Sequence, residues 1–147
     1  MQSLRNPDLI AAADRELVEL RIHAYFELLA TGRDFAALME YFAEDVVFEL
    51  VGNWSIFPQA GRVRGKDAWA RAITTIYTHV ENMGSTLHDL VIDGDRVALR
   101  RTTRLRSYGT GRVGDVMIAD FLRLRDGLVV EFTEIVDSLA IATLEEC

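Results

Sequence analysis

At 147 residues, half of them hydrophobic and 27% charged, the chain has the size and composition of one globular domain with its own core. Sixteen basic residues against 23 acidic ones give a formal charge of −7, which argues against the basic face that a nucleic-acid partner requires. A single cysteine, Cys147, cannot close an internal disulfide, and no apolar run approaches the ~18 residues of a membrane helix. The opening MQSLRNPDLI lacks the apolar stretch of a signal peptide, so a reducing cytoplasm is the expected setting, with no membrane partner.

Asn6-Pro7 joins a capping side chain to the residue favoured at the first helical position, which predicts a helix over Pro7–Thr31 ended by Gly32. Val18, Ile22, Tyr25 and Leu29 recur along it at helical spacing, so Tyr25 belongs to the inner face. Asp34 can cap a short second helix, Phe35–Phe42, and the β-branched run Val46–Val51 predicts a strand. Gly52–Gly65 reads as a loop, one rich in large apolar groups: Trp54, Ile56 and Phe57. Lys66–Val80 predicts a third helix, with Trp69, Ala72, Ile73, Ile76, Tyr77 and Val80 on one face.

Beyond Gly84 the period drops to two. Strands are predicted at Ser85–Ile92, Val97–Ser107, Asp115–Leu124 and Leu128–Asp137. The links at Asp93-Gly94-Asp95, Tyr108–Gly114 and Arg125-Asp126-Gly127 are short, so successive strands must be antiparallel. Three helices and about five strands define an α+β domain. A curved antiparallel, partly mixed sheet wrapped around the long N-terminal helix would enclose a cone with an apolar interior.

Three charged residues interrupt the apolar faces of these strands. Asp120 shares a face with Val116, Ile118, Leu122 and Leu124, and Glu134 with Val130, Phe132 and Val136. Arg101 falls among Val97, Leu99 and Leu105, whereas Arg100, Arg104 and Arg106 share the opposite, solvated face. A charge in an apolar setting is costly unless it is paired or neutralised, so each of the three marks a pocket or a sealed ion pair. Glu134 is the expected partner of Arg101. His88 is expected to face inward beside Leu90 and Ile92, and no spacing of His, Asp, Glu or Cys suggests a metal site.

Three stretches, AYFELLATGRDFAALMEYFAEDVVFE (Ala24–Glu49), GRVRGKDAW (Gly61–Trp69) and ADFLRLRDGLVVEFTEIVD (Ala119–Asp137), resemble the nuclear-transport-factor-2-like superfamily of SnoaL-like polyketide cyclases, ketosteroid isomerases and limonene epoxide hydrolases. The resemblance covers nearly the whole chain and implies one domain, 1–147. It implies that Tyr25 matches the oxyanion-hole tyrosine of the isomerases, and that Asp120 matches their protonated aspartic acid and the acid/base aspartate of the cyclases. The isomerases' proton-abstracting aspartate falls at Leu50, which cannot act as a base. Arg101 and Glu134 match the arginine and one acid of the epoxide hydrolases, while the second acid falls at Thr103.

The implied activity is cofactor-independent acid/base chemistry on a small apolar carbonyl or enol compound. Asp120, Tyr25, Arg101 and Glu134 would act on it, and Leu50, Trp54, Phe57, Tyr77 and His88 would line the cavity. A non-catalytic ligand-binding or assembly module and an epoxide-hydrolase-like enzyme using Arg101 and Glu134 are the alternatives. The resemblance also implies a homodimer through the outer sheet face at Met117, Ala119 and Phe121.

Overall fold

The computed structural model describes residues 7–32, 34–52 and 61–146, with side chains from residue 14 onward. In chain order the elements are α1 (Pro7–Thr31), α2 (Phe35–Met39), β1 (Phe42–Val51), β2 (Gly61–Arg64), α3 (Lys66–His79), β3 (Val80–Asp93), β4 (Arg96–Ser107), β5 (Val113–Arg125), β6 (Leu128–Val136) and α4 (Ser138–Glu145). The strands form one open six-stranded sheet in the order β2-β1-β6-β5-β4-β3. Every neighbouring pair is antiparallel except β1 and β6, which run parallel. This is the α+β cone with a mixed sheet that the alternation and the resemblance imply.

Several elements differ from expectation, among them β3, which begins at Val80 rather than Ser85. Gly61–Arg64, assigned to a loop, pairs with β1 as an edge strand, and four apolar-poor residues give no alternation to read. A fourth helix follows β6: Asp137 caps it by accepting a hydrogen bond from the Ala140 amide at 3.1 Å. That cap was legible in Asp137 followed by SLAIATLE. The second helix also stops at Met39, and β1 begins at Phe42.

The β5–β6 link is a two-residue turn in which Asp126 (φ 52°) and Gly127 (φ 77°) both take left-handed backbone, the geometry that matches strand twist. The core collects on the concave face of the sheet. Trp69 of α3 lies 4.0 Å from Phe48 and 5.2 Å from Phe42, centroid to centroid, and Phe132 completes the aromatic cluster. Rings of this size dominate core energetics, and truncating one costs about 3–5 kcal/mol. At the far end, Thr110 and Arg112 donate to the carbonyls of Leu144 and Thr143 at 2.6 and 3.1 Å, tying down the end of α4. A Cβ at Gly114 would stand 2.9 Å from the Leu144 Cδ2 methyl, so the glycine lets that side chain pack directly on β5. None of the helices among the described residues is long and apolar enough to cross a membrane.

Candidate active site

The register brings the charged residues together. Leu50, Glu134, Asp120 and Leu99 stand side by side on β1, β6, β5 and β4. Arg101 lies two residues beyond Leu99 on the same face and reaches diagonally to Asp120. Its Nε donates to Asp120 Oδ2 at 2.7 Å, and its Nη1 donates to Thr103 Oγ1 at 2.6 Å and Ser85 Oγ at 3.4 Å. Ser85 and Thr103 are themselves 2.8 Å apart, and the Phe26 ring lies under the guanidinium at 4.8 Å.

Glu134, the expected partner of Arg101, is the more distant carboxylate, 3.7 Å from Nη2. The reason is strand order: β5 lies between β4 and β6, so Asp120 is the near neighbour and Glu134 is one strand farther. Ser85 and Thr103 were missed as partners. The signal was present, because Thr103 follows Arg101 at the same-face spacing of two, but only the β3–β4 register shows that Ser85 sits opposite it.

Two spaces flank this ion pair. A larger cavity of about 370 Å³ is bordered by Leu50, Tyr77, Arg101, Thr103, Glu134 and residues of α4. A smaller, almost wholly apolar chamber of about 90 Å³ lies against α1 and is bordered by Tyr25, Phe26, Phe42, Leu99, Asp120 and Phe132 among others. Tyr25 and Asp120 therefore share one compartment, while Arg101, Glu134, Tyr77 and Leu50 share the other.

Asp120 is wholly buried, and its Oδ1 has no hydrogen-bond partner among the described residues. Asp120 borders the smaller chamber, with Tyr25, rather than the larger cavity. Glu134 keeps 17% of its side-chain surface exposed and faces that cavity.

The electrostatics follow from one cation among two carboxylates. Burial pushes the Glu134 carboxyl up to about 7, with the Asp120 charge adding to the rise and Arg101 opposing it. Burial also raises Asp120, against the opposing pull of the guanidinium hydrogen-bonded to it. Arg101 is held above its ordinary range by the two carboxylates, although burial works the other way. Burial pushes the Tyr77 hydroxyl up to about 12, and Tyr25 is raised by burial and then by Tyr77. Both phenols stay protonated at neutral pH. Tyr77 accepts a hydrogen bond from Asn82 Nδ2 at 3.3 Å, which leaves its own proton to donate.

His88 is corrected. The β3 register shifts between Leu87 and Asp89, and this bulge turns His88 to the exposed outer face, where Nε2 lies 2.6 Å from Thr102 Oγ1. Trp54 and Phe57, expected cavity walls, lie outside the described residues, as does Asn6.

The larger cavity lies between the sheet and the helices α3 and α4. Residues 22–132 match the family model of the SnoaL-like domain, and the chain belongs to that family. No curated protein matches it in sequence. Among solved structures, an NTF2-like protein of unknown function from Burkholderia pseudomallei superposes with a TM-score of 0.78 at 20% identity, over 88% of this chain and 98% of that one. TerC co-crystallised with polyporic acid gives 0.75 at 17% identity, over 88% and 98%. A protein with a ketosteroid isomerase-like fold from Catenulispora acidiphila, in complex with trimethylamine, gives 0.64 at 18% identity, over 77% and 82%. Likenesses at this level of identity show the shared fold.

Proposed function

We propose that the protein is an enzyme of SnoaL-like type that moves a proton on a small, largely apolar carbonyl or enol compound held in the larger cavity. Isomerisation, cyclisation and dehydration are the reactions open to such a site, and none needs a cofactor. The observation that carries this reading is the pairing of Leu50 with Glu134. Where related isomerases keep a base, this chain has leucine, and the adjacent strand supplies a carboxylate on the same face.

With its carboxyl at about 7, Glu134 is poised to take and return a proton near neutral pH. Arg101 and Tyr77 border the same cavity, and the Nη2 hydrogens and the phenol proton stabilise the oxyanion that forms as the proton leaves carbon. Asp120, wholly buried, serves as counter-charge and holds the guanidinium in place. Glu134→Gln should lower turnover of a substrate at least ~100-fold, the usual scale of an acid/base contribution. Undiminished turnover would remove Glu134 from the chemistry. The acid and the amine held by two relatives support a small organic ligand here, and the single cysteine suits a reducing compartment such as the cytoplasm.

We infer also that the outer sheet face pairs two copies of the chain. Met117 and Phe121 on β5 and Ile135 on β6 are 43–49% exposed there, on a face that would otherwise leave them in water. Sedimentation should report twice the 16.6 kDa of one chain, and Phe121→Glu should halve it. A monomer at all concentrations would refute the pairing.

A further inference from the structure

Across the wall of the larger cavity, two carboxylates answer one guanidinium. Arg101 holds Asp120 at 2.7 Å and can neutralise one unit of negative charge, while Glu134 stands 3.7 Å from Nη2, beyond hydrogen-bond distance. Building on the role of Glu134 given above, we propose that the cavity selects organic anions, carboxylates or acidic enols on an apolar body, and binds each together with one proton taken up at Glu134.

The donor set is built for an oxyanion. Arg101 commits Nε to Asp120 and Nη1 to Thr103 and Ser85, and its Nη2 hydrogens make no hydrogen bond among the described residues. The Tyr77 hydroxyl has its proton free for a ligand, because its oxygen is the acceptor for Asn82. A protonated Glu134 adds a third donor on the same wall.

The charge count sets the condition. With Glu134 ionised, the trio of Arg101, Asp120 and Glu134 carries one net negative charge and repels an anion. With Glu134 protonated, the trio is neutral and all its cavity-facing groups donate. Of the other titratable groups around Glu134, α1 brings Tyr25, α3 brings Tyr77 and His79, and α4 adds Glu145, a further carboxyl beside the cavity, while β1 brings only the apolar Leu50. His79 is the one group here that gains positive charge on acidification, and a pH slope that it supplied would survive in Glu134→Gln. An anion seated over Glu134 also removes what water it has, which favours its neutral form further. The proton comes from solvent and ends on a Glu134 oxygen; no bond of the ligand breaks.

The probe is benzoate, ionised throughout, with benzamide as the neutral shape match and benzylammonium as the cation. Titration calorimetry of the full chain runs from about pH 5.5 to about pH 8.5, in two buffers of different ionisation enthalpy. Benzoate should bind, with about tenfold loss of affinity per pH unit above about 7 and uptake approaching one proton there. Benzamide should bind at least ~10-fold more weakly than benzoate at about pH 6, and benzylammonium more weakly still. In Glu134→Gln, benzoate affinity should be flat with pH and, at about pH 8, at least ~10-fold tighter than in the wild type.

No benzoate binding at any pH, a flat wild-type profile, preference for the amide or the ammonium, or a slope that survives in Glu134→Gln would each overturn the proposal. If the variant does not fold, the wild-type profile and proton count decide alone. The binding arms do not depend on turnover, which is measured separately. Loss of the pH slope in Glu134→Gln together with undiminished turnover of that variant would leave anion selection standing and remove only the catalytic role. Loss of turnover with a flat wild-type profile would do the reverse.

Discussion

Strand β4 carries arginines on both of its faces, and they live in different physical worlds. Arg100, Arg104 and Arg106 point outward, and each meets one carboxylate of a neighbouring strand: Asp89, Asp115 and Glu81. These pairs are about half exposed, so water and salt screen them, and each is worth at most ~1 kcal/mol. Arg101, next to Arg100 in sequence, is 3% exposed and is held by two carboxylates, two hydroxyls and a ring. A charge so placed cannot fall back on solvent. The same residue type thus serves as edge decoration on one side and as the centre of a binding wall on the other, and burial alone makes the difference.

The strongest way to break that contrast is to remove Arg101. Arg101→Ala leaves Asp120 buried without its cation and should cost about 3–5 kcal/mol in urea unfolding. Replacing the pair together, Arg101→Met with Asp120→Leu, should recover most of the loss, because no charge is then stranded. A cost under ~1 kcal/mol for Arg101→Ala would place it with its outward neighbours.

A second effect, somewhat smaller, concerns Glu134. Its folded carboxyl titrates at about 7 against an ordinary value of 4.5. The folded state therefore binds more protons than the unfolded chain between these values, so this residue makes stability fall as pH rises through that window and stay lower above it. The drop attributable to Glu134 is roughly 3 kcal/mol, and Glu134→Gln should flatten the profile of unfolding free energy against pH. A profile unaltered by the substitution would mean that Glu134 titrates normally.

The smallest effect sharpens the comparison from the other side. Arg104→Ala should change stability by less than ~1 kcal/mol, and added salt should erase most of that change. A salt-resistant loss of several kcal/mol would show that the outward pairs are not screened as their exposure implies.

The difference between these faces bears on what could be read in advance. The alternation in Val97–Ser107 already separated Arg101 from Arg100, Arg104 and Arg106, because a strand turns successive side chains to opposite faces whatever its neighbours are. By the same period Asp120 and Glu134 stood out against apolar residues. His88 escaped this logic, since a bulge between Leu87 and Asp89 breaks the period that placed it inward. The helix Ser138–Glu145 carried a readable cap in Asp137, whereas the edge strand Gly61–Arg64 carried no local pattern and exists through its pairing with β1. Tyr25 was correctly turned inward by helical spacing, yet spacing within α1 could not say which compartment it borders.

On its own, then, the sequence determined which side chains are buried against expectation, since helical and strand periods are properties of neighbouring residues along the chain. Only the tertiary structure decided how those side chains pair. Antiparallel β5 separates β4 from β6, so Arg101 takes Asp120 as its near partner. The parallel seating of β1 on β6 puts Glu134 beside Leu50. Strand order and register arise from contacts between distant segments, and no local period encodes them.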